Sequence, residues 1–169
     1  PEYPQPHAGI AEVMTVLGAN CYIEPKIAFA RVRNELDQVF ALDDLISSAH
    51  ACRAMLYGYH LFQWEHADES FRRAIEIEPN WGHVKCWYAG FLAGMRRLDE
   101  CALQSRAAAA AEPMAPVVQT LAGVNLINAG VDEGFAFIRR ALDMDPDLPT
   151  AHHFLGVMLV NAGRFDEAI

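Results

Sequence analysis

Seven histidines, four cysteines and one run of alternating carboxylates are the side chains of this 169-residue chain from which chemistry could start. His152 and His153 are adjacent, so on a helix they point about 100° apart and cannot chelate together as an i, i+4 pair would. His60 and His66 straddle a helix-to-turn boundary, and the scattered set offers pH sensitivity rather than a metal site. Cys21, Cys52, Cys86 and Cys101 lie 31, 34 and 15 residues apart with no Cys-x-x-Cys pair, which argues against a zinc framework or a redox couple. They are expected to serve as small buried apolar residues. Asp143, Asp145 and Asp147 alternate like the opening of a calcium loop, but Leu148 stands at the glycine position and Phe154 at the closing glutamate position. These carboxylates are expected instead to end one helix, form a turn and cap the next. There is no Gly-x-Ser-x-Gly elbow, phosphate loop, Gly-x-Gly-x-x-Gly or His-Glu-x-x-His. The chain is therefore read as a non-enzyme with no catalytic residue, metal or cofactor.

Composition narrows the function classes. With 53% hydrophobic and 21% charged residues, this is the balance of a folded chain. The 22 acidic residues against 13 basic ones, a formal charge of −9, leave no basic face for a nucleic acid backbone. No apolar run approaches the length of a membrane span, so no membrane insertion of this segment is expected. Cysteine usage suits a reducing compartment, which points to the cytoplasm, with the periplasm as the alternative if a parent protein carries a membrane helix. The chain starts at Pro1 without Met, and it is expected to be a piece of something longer.

The elements that must position any site are announced by self-similarity. Pro79, Pro113 and Pro146 are 34 and 33 residues apart, each preceded by an acidic residue and, five positions back, by an alanine. A second small-residue series runs through Ala67, Cys101, Gly134 and Ala168 at spacings of 34, 33 and 34. A third runs through Ala54, Ala89, Gly123 and Gly156 at 35, 34 and 33. Two helices approach closely only where side chains are small, so these series mark the contact between the helices of each pair. Proline then ends each second helix, and Asn80 and Asp147 are the expected N-caps of the helices that follow.

The segment from Phe154 to Ala168 (Phe-Leu-Gly-Val-Met-Leu-Val-Asn-Ala-Gly-Arg-Phe-Asp-Glu-Ala) resembles a copy of the tetratricopeptide repeat (TPR) family, with its leucine-glycine, later glycine, aromatic and alanine. The other copies are looser: Cys101 and Gly134 replace an alanine, and Arg53-Ala54 replaces leucine-glycine. The resemblance implies an all-α fold, a right-handed superhelical solenoid of antiparallel helix pairs with about four and a half repeats. Their bounds within a single domain spanning 1–169 would be 5–44 (degenerate), 47–79, 81–113, 115–146 and 149–169 (truncated). A longer connection around Gly18 to Pro25 is expected in the first copy. The wording of Ala8 to Ala11, Ala49 to Ala51 and Trp64 to Ala74 is similar to TPR segments that follow the signalling domains of bacterial regulatory proteins.

The same resemblance implies a scaffold whose first helices line a concave groove for a peptide or helix of a partner protein. Projected from the small sites, the groove would carry Met55, Tyr59, His83, Cys86, Val124, Asn128, His153, Val157 and Asn161. This stripe is mostly apolar and neutral, and the only lysines, Lys26 and Lys85, lie off it, so a clamp for acidic chain termini is not expected there. The arginine pairs Arg72-Arg73, Arg96-Arg97 and Arg139-Arg140 are expected to decorate second helices with surface ion pairs. The alternative function is structural: a segment that couples domains or self-associates through an apolar C-terminal end at Ile169.

Overall fold

In the computed structural model, which describes residues 3–168, a helix stops shortly before each of the periodic prolines. Helices α4 (Trp64–Ile77), α6 (Leu98–Ala111) and α8 (Gly134–Met144) give way to Pro79, Pro113 and Pro146. Their partners are α3 (Ser47–Met55), α5 (Gly82–Gly94) and α7 (Pro116–Asn128). Before them come α1 (Pro4–Ala19) and α2 (Pro25–Leu42), and after them α9 (Pro149–Asn161) with a short 3₁₀ turn, Phe165–Glu167. Among the described residues the structure is all-α, without a strand. Helices α1, α2, α7 and α9 carry proline in the first turn, where the missing N–H costs no hydrogen bond.

The helices fall into two units, one ending at Pro79 and the other beginning at Asn80. In the first, α1 pairs with α2 and α3 with α4, while α3 also lies against α1 and α2. Its core gathers Ala11, Phe29, Val32, Val39, Ala49 and Cys52. Glu35 is buried in this unit and doubly held, by His7 Nδ1 at 2.6 Å and Arg31 at 2.7 Å, which ties α1 to α2. In the second unit α5 pairs with α6 and α7 with α8, and α7 touches α5, α6 and α9. Buried polar bonds join these helices: Asn125 Nδ2 donates to the Cys86 carbonyl at 2.9 Å, and the Cys101 thiol to the Asn125 carbonyl at 3.4 Å.

The small-residue series mark the contacts within pairs up to α7 and α8; at Gly156, on α9, a Cβ would meet nothing within 4 Å. A Cβ on Gly123 would meet the Gly134 carbonyl at 2.5 Å and Ile138 Cγ1 at 2.7 Å, and one on Gly134 would collide with the Gly123 carbonyl. The corresponding Ala54 and Ala67 in the first unit, and Ala89 and Cys101 in the second, are fully buried.

A fourth periodic feature is visible only in the backbone. Phe62, Arg96, Gly130 and Gly163 all have positive φ, between 55° and 81°, and end the first helix of their repeats. At Arg96 the turn closes as Arg97 N–H to Leu92 O, and at Gly130 as Val131 N–H to Leu126 O, both 2.9 Å, the six-to-one bond of a left-handed helix terminator. The first of these turns differs. There α3 runs into a π-helical turn, Leu56–Leu61, and the closing bond from Gln63 N–H to Tyr57 O spans one residue more. That turn absorbs the extra residue of the 35-residue spacing between Ala54 and Ala89, as a π-bulge does when one residue is inserted in an α-helix.

Two expectations are corrected. Asn80 and Asp147 do not cap: α5 begins at Gly82 behind Trp81 and α9 at Pro149 behind Leu148, with no side-chain cap on either. The connections run extended for one residue further, and the Gly82 N–H takes the Glu112 carboxylate, 2.6 Å away, instead. Cys21 is exposed, because the loop between α1 and α2 turns out to solvent there; only Cys52, Cys86 and Cys101 are buried. The expected self-association at Ile169 falls on a residue outside the described ones.

Two substitutions test this packing by urea denaturation. Gly134→Ala should destabilise by about 1–3 kcal/mol because backbone, not a flexible side-chain end, opposes the new methyl. Arg96→Gly should stabilise by about 1 kcal/mol, since an exposed L-residue is there held in the left-handed region.

Candidate interaction site

In the second unit the first helices α5, α7 and α9 stand side by side, α7 touching both neighbours. Residues at i, i+4, i+7 and i+11 share a helix face. On α5 these are His83, Trp87, Gly90 and Gly94; on α7, Val117, Leu121, Val124 and Asn128; on α9, Thr150, Phe154, Val157 and Asn161. Five of the expected groove residues, His83, Val124, Asn128, Val157 and Asn161, fall on these positions, and His153 lies beside them on α9, in graded exposure. Asn128, His153 and Asn161 are exposed and His83 is half-buried. Val157 is 39% exposed, whereas Val124 is 8% exposed and packs among Phe135, Ile138 and Met158.

Cys86 is covered, its thiol directed at the Val118 carbonyl of α7 at 3.7 Å. It occupies the same repeat position as the exposed His153. Met55 and Tyr59 belong to the first unit: Met55 is 7% exposed and Tyr59, on the π-helical turn, 46%. The nine residues thus do not all present side chains: Met55, Cys86 and Val124 are buried, the last two within the second unit.

The face also holds residues that projection from the small sites does not reach. Trp87, Leu121 and Phe154 are half-buried and spaced 34 and 33 apart, the repeat period itself. His83 sets its ring edge to Trp87, with centroids 5.3 Å apart. None of the twelve face positions is Asp, Glu, Lys or Arg. The charges lie elsewhere, in pairs such as Arg106–Glu133 and Arg139–Glu167, at 2.8 and 3.0 Å, and in pairs along single elements such as Arg97–Glu100 at 2.6 Å.

Nucleophilic chemistry finds little support in the buried thiols. Burial pushes Cys52 and Cys86 up to about 12 and raises Cys101 as well, so they stay protonated and unreactive near neutrality. Among the described residues no three His, Cys, Asp or Glu side chains converge to hold a metal ion. No helix among them is long and apolar enough to cross a membrane.

The first unit contains one buried polar network. His50, 5% exposed, places Nε2 2.7 Å from the Asp44 carbonyl and Nδ1 2.9 Å from a guanidinium nitrogen of Arg53. Arginine can only donate, so Nδ1 accepts, Nε2 carries the proton, and the ring is neutral. Arg53 also donates to Ser70 Oγ at 3.2 Å and lies 4.6 Å over the Phe40 ring.

No family model matches the chain, and no curated protein matches it. Solved structures do match its fold. PilW, a type IV pilus biogenesis factor, aligns at a TM-score of 0.69 and 23% identity, covering 94% of this chain and 73% of that one. PilF of Pseudomonas aeruginosa aligns at 0.67 and 17%, covering 96% and 73%. YrrB, described as a TPR protein with an unusual peptide-binding site, aligns at 0.57 and 17%, covering 99% and 82%. At such identities the likeness speaks for the fold alone: this is an all-α, TPR-type helical-repeat fold.

The neutral ring of His50 makes stability pH-dependent. Burial holds its pKa below the ordinary histidine value, aided by Arg53 and Arg73 and opposed by Asp44. Above the unfolded value of about 6.5 its contribution is complete. As the pH falls below that, the unfolded chain takes up the proton first and stability is lost, until the folded ring also protonates. Urea titrations at falling pH should show this loss, at no more than about 1.4 kcal/mol per pH unit from one proton, and His50→Gln should flatten the curve.

Proposed function

We propose that the chain is a non-catalytic protein-interaction module within a larger bacterial signalling or regulatory protein, docking a peptide or helix of a partner on the α5–α7–α9 face. The observation that carries this reading is the charge-free strip of half-buried Trp87, Leu121 and Phe154 beside exposed Asn128 and Asn161. Aromatic and aliphatic side chains in partial burial offer apolar area at little further entropy cost. The two asparagine amides, each with donor and acceptor, suit the backbone of an extended or helical segment. Val157, His153 and His83 complete the contact surface. Cys86 and Val124 shape it by packing, while Met55 and Tyr59 lie on the first unit, where Tyr59 offers a separate aromatic contact. The likeness to YrrB, a peptide-binding TPR protein by its description, favours the same class of ligand.

A second reading has its own observation. Val160 and Phe165 are 49% and 61% exposed near the end of the described chain, an apolar pair that suits self-association. The two readings separate in one comparison. Asn128→Arg with Val157→Glu changes only exposed side chains, so helicity and melting temperature should hold. Proteins captured from a lysate by the unmodified chain should then be lost. Retention of the same proteins by the double variant overturns the docking face; a mass that doubles with concentration, abolished by Val160→Glu with Phe165→Ser, instead establishes self-association.

A further inference from the structure

Arg53 breaks the repeat. The equivalent positions in the later copies are Tyr88, Ala122 and Leu155, all apolar, because this position turns toward the packed side of its helix. The arginine is half-buried, and burial lowers its pKa. Yet among the described residues no carboxylate lies within ion-pair distance of its guanidinium. It is held through Nε to Ser70 and one terminal nitrogen to His50, with the guanidinium carbon 4.6 Å over the Phe40 ring. The other terminal nitrogen, NH1, is left without a bond among the described residues.

Glu69 offsets this cation's charge only from a distance, with no direct ion pair, and a partly desolvated cation without a contacting carboxylate is costly. This one borders a cleft of about 370 Å³ within the first unit, a size suited to a small ligand or a single side chain with its neighbour. The walls come from α2, α3 and the π-helical turn. Leu36, Phe40, Leu56 and Leu61 supply the apolar surface, and Arg33, Asp37, Arg53 and Tyr57 the polar one. Arg33 and Asp37, though four residues apart on α2, form no ion pair with each other or with any described residue. Leu56, Tyr57 and Leu61 reach the cleft from the π-helical turn, the place where the chain carries its extra residue. Such insertions in a helix recur at binding and catalytic sites.

We infer that this cleft is a second binding site, distinct from the α5–α7–α9 face, for a single carboxylate carried next to a branched apolar group. Arg53 and Arg33 hold the carboxylate, since planar guanidinium groups match carboxylate geometry. Leu36, Leu56 and Leu61 receive the apolar part. Asp37 sets the limit of one negative charge: a run of acidic residues or a phosphate cluster would meet its carboxylate in the same cleft. The carboxylate can come from a free aliphatic acid or from a Glu side chain beside Leu in a partner segment, and the test separates these sources.

The probes are 4-methylpentanoate and the blocked peptide acetyl-Leu-Glu-Leu-amide, each against its neutral counterpart, 4-methylpentanamide and the Gln peptide. The readout is NMR of the whole labelled chain, following the Arg53 Nε–H and the methyls of Leu56 and Leu61. At least one acid should shift these resonances saturably, with its neutral counterpart about tenfold weaker or more. Arg33→Gln should weaken binding about threefold, as loss of one exposed charge contact does. Asp37→Asn should tighten it by a similar factor, a gain that damage to the fold would not produce. Saturation by the peptide alone assigns a partner side chain, and by the free acid alone a small molecule. The proposal is overturned if neither acid saturates the shifts up to about 50 mM, weaker than ligands of this size bind formed sites. It is also overturned if the neutral counterparts bind as well, or if Asp37→Asn weakens binding.

Discussion

Everything in the second unit depends on how near two helices can come. At Gly123 and Gly134 the backbones of α7 and α8 leave no room for a methyl group on either side. That proximity seats Ile138 against α7 and lets the first helices stand as neighbours. Dispersion between such surfaces falls off within an ångström of separation, so small residues at a fixed period do more to define the fold than any large one. The first unit uses the same device less tightly, with Ala54 and Ala67 at the corresponding sites and Gly18 pressed against Ala28 between α1 and α2.

Close packing also decides where function can sit. Second helices carry far more charge than first helices and pair much of it along their surfaces, where each pair contributes little. The first-helix face of the second unit is left neutral and half-covered. A surface that keeps large side chains in partial contact with water has free energy to gain from a partner, while its exposed asparagines can satisfy a partner's backbone. The first unit departs from this plan at one place. An arginine stands where the other repeats have an apolar residue, and an additional residue distorts the helix that carries it. Both departures border the same cleft, so each rule of the repeat that is broken there is broken toward a cavity.

Much of this could be read in the residues. The proline and small-residue series place the helix ends and their contacts, because a proline lacks an N–H and a glycine lacks a side chain wherever they occur. Other features resist such reading. Five turns share a left-handed residue, but only Gly130 and Gly163 advertise it; Cys21, Phe62 and Arg96 hide the same backbone under types that normally avoid it. The capping expected of Asn80 and Asp147 fails because helix starts shift by one residue, and Glu112, remote in sequence from Gly82, reaches the free N–H instead. The groove shows the same division. Asn128 and Asn161 are exposed as their spacing suggests, whereas Trp87, Leu121 and Phe154 carry the same period without a small residue to draw attention to them.

The sequence by itself determined the architecture: periodic proline and periodic small residues already specify an all-α repeat of helix pairs. These are local or nearest-neighbour properties, and one-dimensional order suffices to encode them. Only the tertiary structure decided which side chains on that scaffold meet solvent. Val124 and Val157 are equivalent in the repeat, yet one is buried and the other is 39% exposed. Cys86 and His153 differ in the same way, and Arg53 forms no direct ion pair among the described residues. Burial depends on what packs against a residue from distant parts of the chain, and periodicity, which treats every copy alike, carries no record of that.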